Sequence, residues 1–279
     1  MLLGTNVTHI EPRRALELGC KHLEVSLLWE KSLDRAEANT LAKISEIAKL
    51  DCDYSIHLPI FSKDYPYHIF SAYYLDEDPK VRQVAFSMLE LNLEKLKSFR
   101  PKFYVIHFSG VYPRRPEAME REILAETLGK LDNLARRYNT KLLLEYFGFN
   151  LSLLKAEDWR PVLSYPNLRI LLDTGHLLFS ARMHNLDYKG LFEAFLPMCE
   201  AIHLWNSGDD AGTYEDSESY MRFHHMVPRR FQSSELGYGL DMEWVSQSLQ
   251  LVEVPVIIEA SLLHKESGSL EEAINEWRE

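Results

Sequence analysis

Cysteine is scarce in this sequence: Cys20, Cys52 and Cys199 stand alone, far apart and without a CxxC spacing. That pattern excludes a disulfide framework and reads as reduced thiols in a cytoplasmic protein. Glycine and proline, at 12 residues each, are too few for a collagen-like or linker-dominated chain. No apolar run is followed by GxGxxG or GxxxxGK, which removes the glycine-rich loops that cradle dinucleotides and nucleoside triphosphates. No run approaches the roughly 20 apolar residues of a membrane span. The opening MLLGTNVTHIEPRR lacks the apolar core of a signal peptide. Positive charge is also in deficit. With 31 Lys and Arg against 42 Asp and Glu, the net charge of −11 argues against a general electrostatic grip on nucleic acid.

What is present is a regular alternation of elements. Short apolar, β-branched runs occur at 2–7, 22–27, 54–59, 103–108, 141–147, 168–174, 201–206 and 255–260. Helical stretches are expected between and after them at 12–19, 35–50, 78–99, 116–138, 186–200, 241–251 and 269–277, with a helical turn or two in 152–163. Near-continuous apolar strands suit a parallel sheet covered on both faces. Eight strand–helix units in 279 residues, with no linker between them, predict a single α/β domain over 1–279 folded as a (β/α)8 TIM barrel.

The polar residues of those runs carry the chemical signal. Glu24, His57, His107, Glu145, Asp173, His203 and Glu259 each fall within about three residues of a strand's C-terminal end, the end that forms the active-site face of such a barrel. Ionisable groups in that position must share partners or a metal, because burying them unpaired is costly. Imidazole and carboxylate without thiolate suit zinc, manganese or iron. DTGH adds His176 just beyond Asp173, and His224–His225 sit in the long polar segment 207–239. The aromatic-rich stretch 61–74 reads as a lid or a packed rim. Arg114, Arg115, Arg222, Arg229 and Arg230 are candidate phosphate clamps. Glu24 reads either as support for a ligand histidine or as a partner of a lysine.

The ordered set SIHLP, VIHFSG, LLLEYFG, LLDTGH, IHLWNS, FHH and IIEA resembles the endonuclease IV and xylose-isomerase-like barrel superfamily, over nearly the whole chain. In endonuclease IV, nine ligands hold three zinc ions. The resemblance implies His57, His107 and Glu145 at a first zinc, with Glu145 bridging to a second held by Asp173, His203 and Glu259. His176 and His224 match the histidines of the third. The ninth ligand departs from the pattern: Arg222 stands where that family has aspartate. An arginine has no lone pair to give, so two or fewer metals are expected, with Arg222 facing an incoming anion or solvent.

The resemblance implies first a metal-dependent hydrolase that cleaves a phosphoester through metal-bound hydroxide. The alternative it implies is a sugar or sugar-phosphate isomerase or epimerase. There Glu145, Asp173, His203 and Glu259 hold one divalent ion, Glu145 and Glu259 move protons at carbon, and His176 touches a substrate oxygen. A third reading is a metal-binding barrel without catalysis. Zn2+ is the expected cofactor, with Mn2+ as the other candidate. The expected partner is a small phosphoester or sugar-phosphate substrate, with Arg222 and Arg229 contacting it; DNA is an open alternative that the charge does not support, and no membrane partner is expected.

Overall fold

The computed structural model describes residues 1–28, 30–67, 73–108, 117–148, 150–208, 225–260 and 269–278, with only the backbone described at 117–120. Eight parallel strands follow chain order around a closed barrel. They are β1 (Leu2–Asn6), β2 (His22–Val25), β3 (Asp53–Leu58), β4 (Phe103–His107), β5 (Leu142–Glu145), β6 (Leu168–Asp173), β7 (Cys199–Leu204) and β8 (Pro255–Ile258). Each overlaps one of the runs read as strands, so the expected (β/α)8 fold is the observed one. The helices described are α1 (Pro12–Glu17), α2 (Leu33–Ile47), α3 (Pro79–Leu96), α4 (Glu117–Arg137), α5 (Ala156–Trp159), α6 (Thr174–His184), α7 (Tyr188–Phe195), α8 (Met242–Leu249) and α9 (Leu270–Arg278).

The chain groups into two compact units, Met1–Glu24 with Leu172–Glu279, and Val25–Leu171. The first holds the ladder from β7 through β8 and β1 to β2, with His203 opposite Ile257, Leu3 opposite Val256, and Asn6 opposite Glu24. Gly4 is required there, since a Cβ on it would lie 2.7 Å from the His22 carbonyl oxygen. The second unit holds the ladder β3 to β6, in which His107 pairs with Glu145 and Glu145 with Leu171.

Local chemistry sets the helix boundaries. Asp78 accepts a hydrogen bond from the Lys80 amide at the start of α3, where Pro79 supplies a pre-formed φ. Asp187 caps α7 through the amides of Lys189 and Gly190. On α2 the buried residues Ala36, Thr40, Ile44 and Ile47 follow the helical repeat and mark its inner stripe. Helix α6 departs from the sequence reading, which places no helix between the strand ending at 174 and residue 186. Every residue from Thr174 to Ala181 is buried, so the segment has no polar face from which a helical period would show.

The aromatic stretch after β3 is pinned at both ends. The Asn92 side chain accepts from the amides of Ile60 and Phe61 and donates to the Phe61 carbonyl. Thr127 donates to the Tyr74 carbonyl, and Ile60, Phe61 and Tyr74 are buried. Residues 68–72 lie outside the described part.

Cys20 and Cys199 are buried, and burial pushes the Cys20 thiol up to about 12 and the Cys199 thiol in the same direction. Cys52 is only partly covered, and its thiol is raised by burial and by the charges of Asp53 and Asp51. Because the thiolate is the reactive form, a thiol-titrating disulfide reagent at pH 8 is expected to modify Cys52 slowly. The other two should react only after denaturation. Rapid labelling of Cys20 in the native protein would contradict the packing of β2 and its flanks.

Candidate metal centre

In the unit 25–171, three strand ends deliver one cluster. His57 is the penultimate residue of β3, His107 the last of β4, and Glu145 the last of β5. His57 Nε2 lies 2.9 Å and His107 Nε2 3.2 Å from the same oxygen, Glu145 Oε2. The two imidazoles meet edge to face at 4.8 Å, and Phe147 packs on His107. Glu145 is 1% exposed. His57 Nδ1 lies 3.2 Å from the Leu58 carbonyl oxygen, which can only accept, so Nδ1 carries a proton. A neutral His57 then turns its Nε2 lone pair toward a carboxylate oxygen, whereas the charged ring donates to it. In the neutral form two acceptors face each other in a dry site, where either a second ring proton or a metal cation is needed. The donor set therefore fits a divalent metal, and the ligand atoms of His57, His107 and Glu145 lie within 4.8 Å of one another.

The unit formed by 1–24 and 172–279 carries a second cluster. Asp173 closes β6 and caps α6. Its Oδ1 accepts from the His176 amide at 2.7 Å and its Oδ2 from the Trp205 indole N–H at 2.7 Å. His203, fully buried on β7, places Nε2 2.9 Å from Glu24 Oε1 and Nδ1 3.0 Å from Glu259 Oε2. The Nδ1 atom is 3.8 Å from Asp173 Oδ2. His225 Nε2 is 3.8 Å from Glu259 Oε2. Asp173, His176 and His225 also bring ligand atoms within 4.8 Å of one another. The nearby Tyr188 phenol is buried, and burial together with the Asp173 charge raises its pKa, keeping it neutral.

The sequence DTGH has a local explanation here. Thr174 Oγ1 donates to the Trp205 carbonyl and accepts from the Trp205 amide, tying α6 to the chain just past β7. Gly175 leaves room for the Trp205 ring, since a Cβ would sit 2.2 Å from it. The indole, seated on that glycine, packs against His176 and His225 at 5.6 and 4.6 Å while it holds Asp173.

His225 is one residue from the expected ligand His224, which lies outside the described residues together with Arg222, Arg114 and Arg115. His225 takes a left-handed backbone, φ 56°. The next residue, Met226, exchanges two backbone hydrogen bonds with Asn206. Asn206 is itself buried and bonded to Gln232 and to the Leu240 backbone. The asparagine after the HLW run thus anchors the backbone beside His225, whose ring lies near Asp173. Sequence reading named His225 only within the His224–His225 pair and missed Trp205 and Asn206 as parts of the site, and the HLWN–FHH pair was the available signal.

Arg229 also stands differently from the expected substrate clamp. Its guanidinium donates to Glu276 at 2.9 and 2.5 Å and to Glu272 at 2.6 Å, both on α9. These partners hold Arg229 further above its ordinary pKa and Glu276 below the usual carboxylate range. Two carboxylates already balance this cation, so its fork is taken. Arg230 reaches Ser246 and the Glu276 carbonyl.

No family model matches the chain, and no curated protein matches it in sequence. Solved structures do match in fold. The Escherichia coli 3-keto-D-glucoside 4-epimerase, in apo form, is 15% identical, with a TM-score of 0.62 over 100% of this chain and 99% of that one. A Thermus thermophilus protein soaked with zinc chloride is 22% identical, with a TM-score of 0.61 over 98% of each chain. The IolI protein with a bound zinc atom is 16% identical, with a TM-score of 0.63 over 100% of this chain and 95% of that one. At these identities the likeness shows a shared barrel, the fold that the motif resemblance implies.

Gly175→Ala is expected to displace Trp205 from Asp173 and to destabilise the protein by about 1–3 kcal/mol, the usual cost of overpacking a filled core. Urea unfolding followed by tryptophan fluorescence measures it. An unchanged midpoint would contradict the seat described for Trp205.

Proposed function

We propose that the protein is a divalent-metal-dependent sugar epimerase or isomerase, with Glu145, Asp173, His203 and Glu259 as the ligands of one ion. The observation that carries this reading is the pair of glutamates, Glu145 ending β5 and Glu259 following β8, each within ion-pairing distance of imidazoles. In a closed parallel barrel the strand C-termini open on one mouth, which is where two carboxylates are needed on one substrate. The fold neighbours include the 3-keto-D-glucoside 4-epimerase and a D-tagatose 3-epimerase-like protein; another was soaked with zinc chloride and a further one holds a zinc atom. These likenesses support sugar chemistry over the phosphoester hydrolysis that motif order first implied. The engagement of Arg229 with α9 also removes one expected phosphate contact.

A bound divalent ion would supply Lewis acidity, drawing electron density from a substrate oxygen and so acidifying the adjacent C–H bond. The chain's own residues do the rest. One glutamate takes the proton as the C–H bond breaks, and the electron pair spreads into the neighbouring carbonyl. Inversion then requires the second glutamate to return a proton to the other face of the same carbon. His57 and His107, both at Glu145 Oε2, orient that carboxylate and stabilise its charge between turnovers. His176, packed against Trp205, is assigned to a substrate hydroxyl.

Ketohexoses and 3-keto-glucosides in D2O, followed by proton NMR with zinc or manganese present, test the proposal. Epimerised product with deuterium at the inverted carbon is expected, and prolonged chelation should abolish it. Glu145→Gln and Glu259→Gln should each lower turnover roughly 10²–10⁴-fold, the scale of losing a general base. Cleavage of a phosphodiester probe, with no exchange into any sugar, would overturn it in favour of hydrolysis.

A further inference from the structure

Glu24 is a carboxylate with no exposed surface, held in β2 between Leu23 and Val25, which are equally buried. Its Oε1 is 2.9 Å from His203 Nε2, and His203 is also wholly buried. Buried carboxylates are retained only where a partner repays their dehydration. A pair at this distance would be a plain core ion pair if the other face of the ring met apolar atoms. It does not: Nδ1 looks toward Glu259 Oε2 at 3.0 Å and Asp173 Oδ2 at 3.8 Å.

A neutral imidazole has one N–H and one lone pair, and an ionised carboxylate only accepts. With its proton on Nε2, the nitrogen 2.9 Å from Glu24 Oε1, His203 presents the Nδ1 lone pair to the side where two further carboxylates converge. In the other tautomer the lone pair would point into Glu24, and no donor atom would remain for a cation near Glu259. We propose that Glu24 is the positioning residue of the metal centre: it fixes the tautomer and ring orientation of His203 so that Nδ1, and not Nε2, ligates the ion. This rests on the reading above that His203 is a ligand. Glu24 acts through His203, so its effect falls on metal affinity before it falls on turnover. A carboxylate behind a ligating imidazole also makes that imidazole a stronger donor, and loss of such a partner typically weakens metal binding 10–100-fold.

The test needs no substrate. Zinc affinity is measured by chelator competition for the wild type, Glu24→Gln, Glu24→Ala and His203→Ala, alongside thermal melts of the metal-free proteins. Nitrogen-15 NMR of the imidazoles is recorded on the zinc-loaded wild type. We expect roughly 10–100-fold weaker binding for Glu24→Ala. Partial rescue is expected in Glu24→Gln, whose amide oxygen still accepts from Nε2–H. A His203 signal with nitrogen-bound proton on Nε2 and zinc on Nδ1 is expected in the wild type. A merely structural role would lower the melting temperature in both Glu24 variants without this affinity pattern or ring signature. Zinc on Nε2, or Glu24→Ala affinity within twofold of the wild type, would overturn the proposal. Should Glu24→Ala fail to fold, the wild-type spectrum and Glu24→Gln decide. Unchanged zinc affinity in His203→Ala would remove the ligand assignment and this proposal with it. Absence of sugar turnover with the affinity pattern intact would touch only the epimerase reading.

Discussion

Taking a carboxylate out of water without a counter-charge is among the most expensive acts in folding, and this barrel does so repeatedly at its strand ends. Glu24, Glu145 and Asp173 are at most 1% exposed. Each lies against specific nitrogens: His203 Nε2 at 2.9 Å for Glu24, His57 and His107 Nε2 for Glu145, the His176 amide and the Trp205 indole for Asp173. The surrounding structure follows from those pairings. Gly175 exists to seat Trp205, Thr174 ties α6 to the chain after β7, and Asn206 anchors the backbone beside His225.

That network also separates what a sequence displays from what it conceals. Strands were legible because their runs are apolar and β-branched on both faces, and the seven ionisable residues stood out against that background. Helix α6 was hidden by its own burial, since Thr174–Ala181 offers no polar stripe. The place of His225 was hidden because it depends on one backbone bridge, Asn206 to Met226, and on one left-handed residue. Trp205 reads in sequence as ordinary core, and only its indole N–H reveals that it holds a carboxylate. Arg229 looked available to a substrate because α9 is distant in sequence, yet Glu272 and Glu276 of that helix take up its charge.

The same donors bear on the chemistry. Histidines 57 and 107 belong to the ordered ligand set that implied a hydrolytic metal cluster, and a one-ion sugar enzyme leaves them unexplained as ligands. Both place Nε2 on one oxygen of Glu145, which gives them work in the proton-transfer reading as well: they orient a carboxylate that must be ionised at one moment and protonated at the next. In the proposed reading the metal falls to the carboxylate-rich set, with His203 as its imidazole and Glu24 as the residue proposed to orient it.

The central claim is that one divalent ion is held jointly by Glu145, Asp173, His203 and Glu259. Anomalous diffraction from a crystal of the protein grown with zinc or manganese tests it most directly, because the signal fixes both the element and its ligands. The account predicts a single strong peak within coordination distance, about 2.0–2.2 Å for zinc, of those four side chains, with His203 bound through Nδ1. A peak on His57, His107 and Glu145 without His203 would contradict it.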